Sequence, residues 1–156
     1  MLKERLITVG GAAVGLAVLI LFFYAYSSTH AEPEIGAVFD GTAVTILVQC
    51  ADEGTSSVYV AVSDLDGRRI WEASTASGDD AIIDRFVVGE APRGFVETIE
   101  LDPANEEEGG LFAVAERSDG WVLFTTFDVD RMDLGRVYVE GRRQKESPSE
   151  FLAKCR

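Results

Sequence analysis

The sequence predicts an all-β, immunoglobulin-like β-sandwich behind a single N-terminal transmembrane helix, closed by a short C-terminal helix. Three observations lead there. From Leu6 to Tyr26 the chain is an apolar run of 21 residues with no Asp, Glu, Lys, Arg or His. Downstream, runs rich in Val, Ile, Phe and Tyr recur between Gly, Asp and Pro turns, and their apolar and polar positions alternate with the period of strands. Near the end, Ser147-Pro148-Ser149-Glu150 is a capping box with Pro at the first helical position, the local signature of a helix start.

Residues 1–5, with Lys3 and Arg5, form a cytoplasmic N-terminus, since Lys and Arg mark the inner flank of a span while the first charges after it are Glu32 and Glu34. Residues 6–26 are long enough for a signal anchor: at about 1.5 Å per residue they cover the roughly 30 Å hydrocarbon core, whereas a cleavable leader has an apolar region of about 7–15 residues. Cleavage after Ala31, at the small-x-small site Thr29-His30-Ala31, is the competing reading. Gly11 and Gly15 form a Gly-x-x-x-Gly spacing that lets two helices approach closely. The expected contacts of this segment are therefore membrane lipid along 6–26 and a membrane-protein partner, or a second copy of the chain, on the Gly11 and Gly15 face. Tyr24 and Tyr26 suit an interfacial aromatic belt.

Residues 27–35 are a polar connector containing Pro33, able to hold the domain no more than about 30 Å from the bilayer. Residues 36–140 form the extracytoplasmic sandwich, with strands expected near 37–39, 43–50, 57–64, 68–74, 81–88, 94–101, 110–117, 120–128 and 135–140. Asp66-Gly67 and Asp119-Gly120 are tight hairpin turns, Ala91-Pro92-Arg93-Gly94 is a third turn, and Asp102-Pro103 opens a loop that closes at Gly109-Gly110. Alternation puts Val44, Ile46 and Val48 on one face, Val58, Val60 and Val62 on another, and Phe112 with Val114 on one side of their strand. The segment Trp121–Val129 is apolar on both sides over its middle, as a central strand would be. Trp71 and Trp121 are expected as core anchors.

Residues 141–156 form a tail with the short helix, in which Phe151 and Leu152 dock on the domain. Cys50 and Cys155 are the only cysteines. An even count on the oxidising side of a membrane predicts a disulfide between them, which ties down a helix too short to persist alone.

Charge and composition exclude more than they assign. Net charge is −13; from Ala31 to Glu140 there are 7 Lys and Arg against 24 Asp and Glu, while Gly141 to Arg156 has 5 against 2. Such a domain repels phosphate, so nucleic acid is not an expected partner. The single His, His30, stands in the connector, which removes a His-based triad. One His and two distant Cys form no closed zinc site, and no cofactor motif is present. Asp64-Leu65-Asp66-Gly67 and the stretch from Asp128 to Asp133 gather carboxylates as calcium loops do, but neither fits the twelve-residue loop with its closing Glu. No catalytic or metal-binding residue is therefore assigned.

These readings predict a non-catalytic single-pass membrane protein whose sandwich serves as a binding, accessory or structural subunit of a membrane or envelope complex. Two alternatives remain. The apolar N-terminal helix, the short basic leader ending at Gly10 and the following β domain resemble type IV pilin-like proteins in outline, which implies a subunit or stator of a surface filament. In that alignment Gly15 stands where bacterial pilins commonly carry Glu, five residues into the mature helix. A small secreted hydrolase is the remaining alternative.

Overall fold

The computed structural model describes residues 34–51, 54–62, 67–76, 80–101 and 110–154. The apolar run with Gly11 and Gly15, the connector through Pro33, the Asp64-Leu65-Asp66 turn, the loop 102–109 and Cys155 lie outside them. Pro33–Arg156 is a compact unit separate from Met1–Glu32. Among the described residues no helix is long and apolar enough to cross a membrane.

Two five-stranded antiparallel sheets face each other. The first holds β1 (Ile35–Phe39), β2 (Val44–Val48), β5 (Arg85–Val87), β9 (Val137–Val139) and β10 (Arg142–Arg143), in the order β10-β9-β1-β2-β5. The second holds β3 (Thr55–Val62), β4 (Arg69–Thr75), β6 (Phe95–Ile99), β7 (Leu111–Arg117) and β8 (Val122–Phe127), in the order β6-β4-β3-β7-β8. A helix, α1 (Pro148–Leu152), follows.

The alternation read in the sequence fills the space between the sheets. Ile35 and Ala37 of β1, Val44, Ile46 and Val48 of β2, and Val58, Val60 and Val62 of β3 belong to one buried cluster. Trp71 lies at its centre, fully buried, stacked on Phe86 at 5.8 Å, with its indole N–H donating to Glu97 Oε1 at 2.8 Å. That bond satisfies the one polar atom such a ring brings into a core.

Four expectations need correction. Trp121 is not a core anchor: it is 60% exposed, because it follows the Asp119-Gly120 turn directly and lies beyond the last core layer. The strand after it is an edge strand rather than a central one. Leu123 and Phe127 enter the core while Val122 and Phe124 stay exposed, so apolar character on both faces reflects one buried face and one bare one. On β7 the core face carries Leu111, Ala113 and Ala115; Phe112 and Val114 point to the other side, where Phe112 meets Tyr59 edge-on at 6.4 Å. Of the strand expected at 81–88, only Arg85–Val87 is regular, with Ala81 forming an isolated bridge to Thr55.

Outside the first sheet lies a second, smaller cluster of Val38, Leu47, Val137, Val139 and Phe151. Helix α1 supplies Phe151 from a complete capping box, in which Ser147 accepts from the Glu150 N–H and Glu150 accepts from the Ser147 N–H. Gly36 makes room for it. A Cβ there would stand 2.8 Å from Val137 Cγ1 and 3.2 Å from Phe151 Cζ.

Candidate interaction surface

Three places could carry function: a cleft at one end of the sandwich, the corner beside Cys50, and an exposed apolar group at the end where β1 begins. The cleft, of about 400 Å³, opens between the sheets beside the β1–β2 turn. Phe39, Val44, Val88, Leu101, Leu111 and Phe127 give it apolar walls, and among the described residues Asp128 and Asp130 are the ionisable ones that line it. Asp128 has a structural task. Its side chain caps a 3-10 turn at Val129–Arg131 by accepting from the Asp130 N–H, and it pairs with Arg131 at 3.1 Å.

Asp133, the next carboxylate along, binds Arg143 at 2.6 Å. Among the described residues no group of three or more His, Cys, Asp or Glu side chains is placed to hold a metal ion. The β1–β2 turn beside the cleft is organised by Asp40, whose carboxyl is held below its ordinary value by the backbone N–H groups of Ala43 and Thr42 and by the Thr42 hydroxyl.

The corner beside Cys50 joins the two ends of the domain. Gln49 is buried; its Oε1 accepts from the Glu34 N–H at 3.2 Å and its Nε2 donates to the Phe151 carbonyl at 2.8 Å. One side chain thus holds both the start of β1 and the body of α1. Cys50 follows directly, in a left-handed conformation with φ 52°. The described residues hold no free cysteine.

Exposed large apolar side chains are few, and three of them, Ile82, Trp121 and Val122, lie on turns or strand starts at the same end of the sandwich as Ile35. The sequence signal that would have placed Trp121 there is its position immediately after the turn. Its cross-strand neighbour is Arg117, whose N–H donates to the Trp121 carbonyl at 2.8 Å. Arg117 also reaches Asp119 at 3.6 Å, which fixes the base of the hairpin.

The chain matches no protein-family model and no curated protein.

Proposed function

We propose that this protein is a single-pass membrane protein, inserted with its N-terminus in the cytoplasm, whose extracytoplasmic immunoglobulin-like sandwich is a non-catalytic binding or accessory subunit of a membrane or envelope complex. The observation that carries the reading is the apolar run Leu6–Tyr26, free of charge and long enough to span, ending eight residues before Glu34. The fold is consistent with it. A wiring in which β1, β2 and β5 face β4, β3, β7 and β8 is the kind of two-sheet antiparallel arrangement that immunoglobulin-like domains use.

An oxidising location also supports a disulfide between Cys50 and Cys155. Gln49 binds the Phe151 carbonyl, so Cys50, the residue after Gln49, lies beside the helix that Cys155 follows in sequence, four residues after Phe151.

The complex is reached through the Gly11 and Gly15 face. Purifying the full chain in mild detergent, with and without Gly11→Leu and Gly15→Leu, tests this. A partner or second copy that co-purifies with the native chain and is lost from the double variant supports the reading. A monomer that carries nothing in either case counts against it.

A further inference from the structure

We propose that the end of the sandwich where the chain enters rests on the lipid–water interface, with Trp121, Val122 and Ile82 as its contact residues and a zwitterionic headgroup layer as its partner. This rests on the membrane reading above and adds to it an orientation and a contact surface.

Backbone pairing ties the entry strand to Trp121 across both sheets. At the start of β1, Ile35 pairs with Val48, and the Val48 N–H donates to the Asp84 carbonyl at 2.8 Å, two residues after Ile82. Next, Ala81 exchanges two hydrogen bonds with Thr55, at 2.8 and 3.1 Å; Thr55 pairs with Arg117; and Arg117 bonds Trp121. Ala81, Thr55, Arg117 and Trp121 therefore lie on successive neighbouring strands, so Ala81, the residue before Ile82, stands about 15 Å from Trp121 at a strand spacing near 4.8 Å. All of them are at the level of Ile35.

Those three are half of the exposed large apolar side chains among the described residues, the others being Val96, Phe124 and Leu134. Ile82 is 72% exposed, Trp121 60% and Val122 52%. Chain length says what meets them: eight residues, 27–34, separate Tyr26 from β1 and extend no more than about 30 Å, so this end is the one held near the bilayer. A stable protein partner needs roughly 800 Å² on each side, more than three side chains provide, whereas an interface needs only shallow amphipathic rings, with Trp the side chain best suited. Asp80, Asp84 and Asp119 flank the group. Asp84 pairs with Arg85 at 3.0 Å and Asp119 with Arg117 at 3.6 Å, so among the described residues this end offers no basic cluster to anionic headgroups, which leaves a zwitterionic surface as the favourable one.

The full chain is reconstituted into phosphatidylcholine vesicles whose acyl chains carry bromine near the headgroup, and tryptophan emission is compared with that in unbrominated vesicles. Trp71 and Trp121 are the only tryptophans, and Trp71 is fully buried. The proposal expects a loss of emission in the native chain that Trp121→Phe lacks, larger for bromine near the headgroup than near the chain ends. Trp121 is exposed, so its replacement leaves the fold intact. Unquenched emission from a chain that stays with the vesicles through alkaline extraction overturns the orientation alone, and is the result expected of a surface reserved for a protein partner. Equal losses in both chains also overturn it. A chain released by alkaline extraction overturns the anchor and the orientation together.

Discussion

Replacing Phe151 with Ala removes the side chain through which α1 grips the first sheet. Phe151 is fully buried among Val38, Leu47, Val137 and Val139, and deleting a buried Phe side chain costs about 3–5 kcal/mol. A terminal helix can lift away instead of leaving a hole, so the lower part of that range, about 3 kcal/mol, is expected. Gly36→Ala approaches the same contact from the other side, with its Cβ 2.8 Å from Val137 Cγ1, 3.2 Å from Phe151 Cζ and 3.3 Å from the Tyr138 carbonyl. Overpacking of this kind costs about 1–3 kcal/mol.

The two changes share a partner and should not add. Removing the Phe151 ring relieves one of the three crowded contacts at Gly36, so the double variant should be less destabilised than the sum by about 0.5–1 kcal/mol. Urea unfolding of Pro33–Arg156, followed by the emission of buried Trp71 and repeated with Cys50 and Cys155 reduced, measures all four chains. Additivity to within about 0.3 kcal/mol would mean that Phe151 does not lie over Gly36, and the account of how α1 docks would fall.

Further expectations concern the bridge, the cap and a turn. Cys50→Ser with Cys155→Ser should lower stability by about 4–5 kcal/mol if the disulfide closes a loop of roughly 100 residues; unchanged stability, or two thiols that label before reduction, contradicts the bridge. The Glu150 carboxyl lies below its ordinary value because the Ser147 N–H, then its hydroxyl, donate to it. Its contribution to the cap is therefore complete above the unfolded carboxylate pKa and is lost as pH falls through the lower folded one. Amide protection at Ser147 and Phe151, taken relative to the intrinsic exchange rate at each pH, should fall on acidification, and constant protection would refute the cap's role. Gly89 has φ +86° and a Cβ there would stand 2.9 Å from Leu101 Cδ2, so Gly89→Ala should destabilise by about 1–3 kcal/mol, whereas a neutral melt would show that this turn tolerates a side chain.

The sheets were legible because one buried face imposes alternation. Val44, Ile46 and Val48, and likewise Val58, Val60 and Val62, repeat every second residue and face the core together. The C-terminal helix was legible for a different reason: the Ser147 and Glu150 interactions are local and need no tertiary information. Sheet order was not readable. Whether β8 is central or at an edge depends on pairings between distant strands, and its exposed Val122 and Phe124 look in sequence like residues buried on both sides. On β7 the core face carries the small Ala113 and Ala115, because Trp71, in the same row as Ala113 and one strand beyond Val60, already supplies the bulk there by stacking on Phe86.

Candidate interaction residues divide in the same way. Cys50 stands out as one of two cysteines, while its nearness to α1 depends on the Gln49 side chain, which composition does not reveal. Ile82 and Trp121 come to the same end of the sandwich only through the Thr55 bridge to Ala81 and the pairing of Thr55 with Arg117. Those contacts join positions far apart in the chain.

Fractionation of cells producing the full chain, with thiol labelling before and after reduction, tests the central claim most directly. The account predicts an unprocessed chain that resists alkaline extraction from the membrane and labels at Cys50 and Cys155 only once reduced. A chain recovered from the soluble cytoplasm with both thiols reactive from the start would contradict it.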